Sequence, residues 1–437
     1  MSGEKSFEVL GKIFEAKNEQ KIEDIKGYSI KYGYIKEKGK VVDEVLVSYF
    51  KAPKSYTTEN MCEINSHGGN IIVKKILELC LKNGAELAEP GEFTKRAFLN
   101  GRIDLLQAES VIDVINAKSE KEAKAGVKQL EGFLSEKIGK IKKEILDVMV
   151  NIEVAIDYPE YDVEDVTINQ LQDMLNSVES KLLKLEKSFD NGKIIKEGIK
   201  TAIIGKPNAG KSSLLNAILR EDRAIVTEIE GTTRDTIEEF VNIRGIPLKL
   251  IDTAGIREAK DEVEKIGIAK SREIADTADL VIAIFDSTKE LTKEDIEILE
   301  IAKSRKSIII LNKIDLKPRI IGIDDENFKN FDGNIIEISA LNKIGLEKIE
   351  EKIVDLFNLN QINLDNEVMI TNIRHKNLIS KAIENVKKAK NTIENKMPLD
   401  IIAINIKDIL EDLGNITGEI VSEDIINEIF AKFCLGK

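Results

Sequence analysis

Apolar residues recur along this chain with two different periods, and the period changes where the organisation changes. Residues 7–13 carry a helical spacing, and the stretches 28–35 and 41–50 on either side of Lys38-Gly39-Lys40 predict a two-stranded hairpin. Cys62-Glu63-Ile64-Asn65 reads as a further short strand, and Ile72, Ile76, Leu79 and Cys80 mark one face of the helix after it. A small α+β domain over 1–100 follows from that pattern. From Leu105 to about Val154 the spacing is helical, with few glycines and no proline until Asp157-Tyr158-Pro159 closes the run. A second helix is expected over 171–185, with Asn191-Gly192 as the exit from the helical region. Short apolar runs at 199–204, 249–252, 280–286, 307–312 and 335–338 then alternate with helical segments, the rhythm of a parallel sheet wrapped by helices. Leu378, Ile379, Ala382, Ile383, Val386 and Ala389 form a last helical stripe. Four segments result: 1–100, a helical part over 101–197, an α/β domain over 198–358, and a second helical part over 359–437.

Composition narrows the classes. The 437 residues carry 65 Lys+Arg against 78 Asp+Glu, a net charge of −13, which argues against nucleic-acid binding by bulk charge. Any RNA contact is then a local patch or is shared with a partner. The basic patch with the best claim lies between Thr371 and Pro398, where seven Lys+Arg face two Asp+Glu. Cys62, Cys80 and Cys434 form no C-x-x-C pair, which suits a reducing cytosol rather than a disulfide or zinc framework. No apolar leader opens the chain and no run approaches membrane-spanning length, so a cytoplasmic protein without a membrane partner is expected.

The candidate chemistry is concentrated in the α/β segment. Gly205-Lys206-Pro207-Asn208-Ala209-Gly210-Lys211-Ser212-Ser213 sits between a predicted strand and a predicted helix, the setting of a phosphate loop. Its glycines let successive N–H groups and a helix N-terminus converge on phosphate oxygens. Lys211 would reach the β- and γ-phosphates and Ser212 would ligate Mg²⁺. Asp252-Thr253-Ala254-Gly255 ends a later strand, where an Asp can hold Mg²⁺ through water and a Gly lets an N–H approach the γ-phosphate. Asn312-Lys313-Ile314-Asp315 ends another, and a carboxylate there accepts the two N–H donors of guanine that adenine does not offer. Ser339-Ala340 would brace the base. These four motifs, in this order, predict a GTP hydrolase.

Two details refine that expectation. The position that holds a water-orienting Gln in small G proteins is Ile256, so the water needs another residue, from among Arg257, Glu258, Asp261, Glu262 and Glu264. No arginine finger is evident, with Arg234 and Arg257 left as candidates. The hydroxyl-rich run Thr227-Glu228-Ile229-Glu230-Gly231-Thr232-Thr233 reads as a first switch, with Thr233 the natural second protein ligand to Mg²⁺. Threonine oxygens with the Asn208 amide could also cage a monovalent cation. Elsewhere, His67 beside Gly68-Gly69 is open to a structural or a functional reading. Pro90 to Leu105 mixes aromatic, charged and turn residues with no amphipathic period. Cys434 near the end has no neighbouring His to activate it.

The Pro90–Leu105 stretch, a G domain inserted in a helical domain, Gly231-Thr232-Thr233-Arg234-Asp235 and the ending Cys434-Leu435-Gly436-Lys437 together resemble the MnmE (TrmE) family, GTPases of tRNA wobble-uridine modification. The resemblance covers essentially the whole chain. It implies a multidomain α/β plus all-α protein: an α+β folate-binding-like N-domain that dimerises, and a helical domain interrupted by a Ras-like P-loop GTPase domain. Activity would depend on potassium and on G-domain dimerisation. The family's K⁺ ligands fall on Asn208, Thr227, Ile229 and Thr232, its Mg²⁺ ligands on Ser212 and Thr233, and its hydrolysis-assisting glutamate on Glu264. Folate contacts fall on Glu63, Arg102 and Lys437, the folate being 5-formyl-tetrahydrofolate or a relative, and Cys434 in the tail joins Glu264, Lys211 and Thr233 as a candidate catalytic residue. The implied partners are tRNA, a second copy, and an FAD-dependent MnmG-like protein in a heterotetramer. Family members begin with a strand and a Gly-rich turn before an Arg-Ile-Ser-Gly sequence, whereas this chain starts at Met1-Ser2-Gly3. About twenty residues of that pattern are therefore expected to be missing, an arginine that contacts folate among them, which would leave a sheet edge unpaired. Two other readings share the G motifs: a ribosome-assembly GTPase, and a nucleotide-gated scaffold without carbon-transfer chemistry.

Overall fold

A computed structural model describes residues 1–17, 28–157, 164–219, 224–225, 239–251, 267–331, 334–361, 369–434 and 436. Two compact units emerge, one from 1–115, 127–179 and 378–437, the other from 116–126 and 180–377.

The first unit begins with α1 (Ser6–Ile13), β1 (Phe14–Ala16), β2 (Ser29–Glu37), β3 (Lys40–Phe50), β4 (Met61–Asn65) and α2 (Asn70–Lys82). The four strands form one antiparallel sheet in sequence order. Leu10 and Ile13 of α1 and Ile76 and Leu79 of α2 close over Ile35, Val45, Val47 and Tyr49, which removes one sheet face from water. The other face exposes Ile30, Tyr32 and Leu46. The outer side of β4 is met by the first residues of the chain: Met1 and Cys62 exchange two backbone hydrogen bonds, at 2.8 and 3.0 Å, and Gly3 N–H donates to the Asn60 carbonyl. That edge is thus paired over residues 60–62, which the sequence did not lead us to expect.

The expected single helix over 105–154 is three helices: α4 (Leu105–Ile115), α5 (Glu120–Leu130) and α6 (Phe133–Asp157). The first break is capped reciprocally, Ser119 Oγ accepting from the Glu122 N–H and Glu122 Oε2 from the Lys118 N–H. At the second, Gly132 turns the chain at φ +88°. Pro90 to Leu105, which has no readable period, contains a short helix, α3 (Glu92–Leu99), with Thr94 and Ala97 buried. In the first unit α6 buries Ile138, Ile141, Ile145, Met149 and Ile152 at helical spacing. The unit takes in α7 (Glu164–Glu197) as far as residue 179 and resumes at residue 378 within α12 (Ile373–Glu394), followed by α13 (Leu399–Thr417) and α14 (Glu423–Phe430).

The second unit holds β5 (Ile199–Ile204), α8 (Lys211–Leu219), β6 (Ala224–Ile225), β7 (Glu239–Ile243), β8 (Ile246–Leu250), α9 (Gly267–Thr277), β9 (Leu280–Asp286), α10 (Lys293–Lys303), β10 (Ser307–Asn312), β11 (Ile335–Glu337) and α11 (Leu346–Leu356). Its sheet runs β11-β10-β9-β5-β8-β7-β6. Five strands are parallel; β7 pairs antiparallel with β8 and β6 antiparallel with β7, through a β7–β8 hairpin that the alternation of elements did not predict. The strand expected over 249–252 is β8 at 246–250. Along β9, Ile282 and Ile284 face one core while Val281, Ala283 and Phe285 face another, so both sheet faces are dry. Asn191-Gly192 marks no exit. It lies inside α7, where a Cβ on Gly192 would stand 2.1 Å from the Ile370 carbonyl oxygen.

Candidate active site

Ile204, Asp286 and Asn312 end three adjacent parallel strands, Asp286 directly opposite Asn312, and the crevice beyond such carboxyl ends is where open α/β sheets take ligands. The loop leaving β5 is shaped by three residues at positive φ: Gly205 (+156°), Asn208 (+63°) and Gly210 (+108°). Glycine is demanded twice by space as well. A Cβ at Gly205 would lie 2.5 Å from the Ile284 carbonyl oxygen, and one at Gly210 would lie 2.0 Å from Asn312 Nδ2. With Ala209 buried, Asn208 exposed and the Ser212 and Ser213 side chains exposed on the first turn of α8, the loop opens toward solvent at the helix N-terminus. Lys211 Nζ donates to the carbonyls of Gly205 (2.6 Å) and Lys206 (2.8 Å), and burial lowers its pKa. Its ammonium therefore lies inside the loop that phosphates would fill.

The base-side motifs are tied to that loop by one amide. Asn312, 3% exposed, donates through Nδ2 to the Ala209 carbonyl (2.9 Å) and accepts at Oδ1 from the Ala340 N–H (3.0 Å). The structure thus brings together the phosphate loop, Asn312 and Ser339-Ala340. Lys313, at φ +67°, reaches Asp286 Oδ2 at 2.6 Å. Burial works to raise the Asp286 carboxyl, but hydrogen bonds from Lys313 and Thr288 outweigh it and hold it below the ordinary carboxylate range. Asp315 is exposed two residues further on. Sequence reasoning gave Asp286 no role; its one signal is an acid ending a buried apolar run.

The remaining sequence-predicted residues divide in two. Thr227, Glu228, Ile229, Glu230, Gly231, Thr232, Thr233, Asp252, Thr253, Ala254, Gly255, Glu264 and Lys437 lie outside the described residues. In the first unit Glu63 lies on β4, Arg102 in the turn between α3 and α4, and Cys434 in the tail after α14. Glu63 is exposed on β4 opposite Ser48, and the Arg102 guanidinium lies over the Tyr56 ring at 4.4 Å. Cys434 is exposed, and its carbonyl accepts from the Gly91 N–H at 3.4 Å. That contact follows from apolar packing of Phe430 and Phe433 with Ala97 and Leu105. Cys62 and Cys80 are free and buried, and burial pushes the Cys62 thiol up to about 11. His67 donates from Nδ1 to the Asp43 carboxylate (2.9 Å) and gives its backbone N–H to the same group. In the basic stretch of α12, Lys381 pairs with the buried Asp412 at 3.1 Å and Lys390 with Glu179.

A seven-stranded mixed sheet with this loop at its carboxyl edge, tied to an Asn-Lys-x-Asp turn, is the nucleotide unit of a P-loop GTPase. Comparison with known proteins goes further. Residues 1–102 match the family model "GTP-binding protein TrmE N-terminus", and residues 105–434 match "MnmE helical domain". The tRNA modification GTPase MnmE of Acetivibrio thermocellus is 48% identical over 444 residues, covering 100% of this chain and 95% of that protein. That of Alkaliphilus oremlandii is 48% identical over 439 residues, with the same coverage. Among solved structures, the G domain of the T. maritima FeoB iron transporter is 28% identical over 36% of this chain and 98% of that one, with a TM-score of 0.26. The chain belongs to the MnmE family of tRNA modification GTPases. Among the described residues, no helix is long and apolar enough to cross a membrane.

Proposed function

We propose that this chain is a potassium-activated GTPase which, with an FAD-dependent MnmG-like partner, installs an aminomethyl or carboxymethylaminomethyl group on C5 of the tRNA wobble uridine. A tetrahydrofolate such as 5-formyl-tetrahydrofolate supplies the carbon, and the work is cytoplasmic. What carries the reading is that one chain joins the TrmE N-terminus, the MnmE helical domain and a phosphate loop curled for anion contact. Lys211 leaves its two carbonyl partners for the β- and γ-phosphates, the exposed Ser212 hydroxyl and Thr233 hold Mg²⁺, and Asp315 reads guanine. Asn208, Thr227, Ile229 and Thr232 hold K⁺. The described donors fit: an exposed amide at a left-handed residue and an exposed hydroxyl are hard oxygen ligands of the kind both cations prefer. Bound, the two cations offset charge that develops on the phosphoryl oxygens. Glu264 positions the attacking water.

In the first unit, Glu63, Arg102 and Lys437 bind the folate, and Cys434 of the tail serves the chemistry. The N-domains pair two copies, two partner chains complete a heterotetramer, and the basic stretch of α12 meets tRNA. The deciding measurement is GTP hydrolysis in KCl against NaCl at equal ionic strength, with gel filtration in GDP–aluminium fluoride. Strong potassium stimulation with G-domain dimerisation is expected. Equal rates in both salts, without a dimer, would overturn the cation assignment.

A further inference from the structure

The second residue of the phosphate loop turns its side chain away from the loop. Lys206 Nζ donates to Thr292 Oγ1 at 2.9 Å and to Asp295 Oδ2 at 3.1 Å, at the start of α10. Asp295 is 7% exposed and already accepts from the Thr292 N–H and hydroxyl, both at 2.8 Å, closing a capping box. The Lys206 backbone carbonyl meanwhile accepts from Lys211 Nζ. Until Lys211 turns to phosphate, this residue is fastened at both ends, and its ammonium stays on a helix terminus when the carbonyl is released. The connection between β9 and α10 then holds both sides of the crevice, since Asp286 at its beginning pairs with Lys313 of the base-side turn. The pairing offsets a negative charge that would otherwise stand, nearly buried, beside a site for polyphosphate.

We propose that Lys206 is a positioning residue for the nucleotide: its bridge to Asp295 and Thr292 fixes the start of the phosphate loop and neutralises Asp295, and so sets how fast guanine nucleotide dissociates. The proposal rests on the nucleotide-binding reading of the same loop and adds a determinant of affinity at a variable position of the motif, with partners outside it.

The test is dissociation of a fluorescent GDP analogue from the full-length protein by stopped flow, for wild type, Lys206→Met, Lys206→Arg, Asp295→Asn and the double variant Lys206→Met/Asp295→Asn. Lys206→Met should release GDP about 5-fold faster, as expected for loss of a part-buried, charge-assisted contact. Lys206→Arg should restore most of the loss, which a role in folding alone would not require. The double variant should dissociate no faster than Lys206→Met, because the unpaired carboxylate is gone as well. Unchanged dissociation in Lys206→Met, no rescue by arginine, or additive effects in the double variant would each overturn the bridge. Wild type that bound no guanine nucleotide would instead sink the reading of the loop itself, so the two failures are distinguishable.

Discussion

Replacing Asn312 by alanine tests the claim that one buried amide holds the two halves of the nucleotide crevice in register. The side chain makes two hydrogen bonds, at 2.9 and 3.0 Å, to main-chain groups of Ala209 and Ala340, each of which is 4% exposed. Alanine leaves one buried carbonyl and one buried N–H without that partner, and each such group costs about 1–3 kcal/mol. Local relaxation recovers part of it, so the nucleotide unit should lose about 2–4 kcal/mol. Urea unfolding of the full chain, followed by release of a fluorescent GDP analogue, reads the transition of this unit directly. Asn312→Asp supplies an internal control through pH. Its carboxyl, nearly buried, has a folded-state pKa raised by desolvation, and only the protonated form can donate to the Ala209 carbonyl. Raised folded pKa means stability that is present below the unfolded carboxylate range and lost as pH rises through the folded value. The aspartate variant should therefore be closer to wild type at pH 5 than at pH 8. A loss below about 0.5 kcal/mol in the alanine variant, the ordinary range for an inconsequential surface change, would refute the tie.

Three further outcomes follow from the same geometry and motifs. Asp315→Asn should move nucleotide preference from guanine toward xanthine, measured by competition binding; unchanged specificity removes Asp315 from base reading. Glu264→Ala should slow single-turnover GTP hydrolysis by at least about 10-fold with GTP affinity retained, and an equal fall in affinity would reject a role in positioning water. Gly192→Ala sets two effects against each other: alanine gains about 1 kcal/mol in a helix interior, but its methyl meets the Ile370 carbonyl oxygen at 2.1 Å. Overpacking of that size costs about 1–3 kcal/mol, so net destabilisation in urea is expected, and a stabilised variant would show that the helix and the 370 segment can part.

The sheet of the nucleotide unit was largely legible because its central strands are continuous apolar runs: β9 and β10 stand where the pattern puts them, dry on both faces. The hairpin of β7 and β8 was not, since Arg244 and Gly245 turn at positive φ in a sequence without the Asn-Gly or Asp-Gly signal. Asn191-Gly192 looked like a boundary because Gly is read as a local breaker, whereas here it answers a close approach by a distant carbonyl. The three-way division of the 105–154 run was partly visible after all: Ser119 and Glu122 have capping-box spacing, which the uninterrupted apolar rhythm masked. In the site, motif spacing located Asn312 and the phosphate loop. It gave no hint of Lys206, Asp286 or Asp295, whose roles depend on which loops the sheet order sets side by side.

The contact at Gly192 has a meaning for the chain as a polymer. Ile370 sits against Gly192 and gives its N–H to Ser188 Oγ at 3.2 Å, and Lys376 lies over the Phe189 ring at 4.9 Å, so the strand of chain leaving the nucleotide unit touches the helix by which it came. Seen by the flanking helices, everything between is a closed loop whose ends have already met. Closure entropy rises only slowly with loop length, so the size of such an insert scarcely matters to the segments on either side. Its modularity lies in that clasp, where a compact unit with adjacent ends can be accepted, enlarged or exchanged between the same two helices.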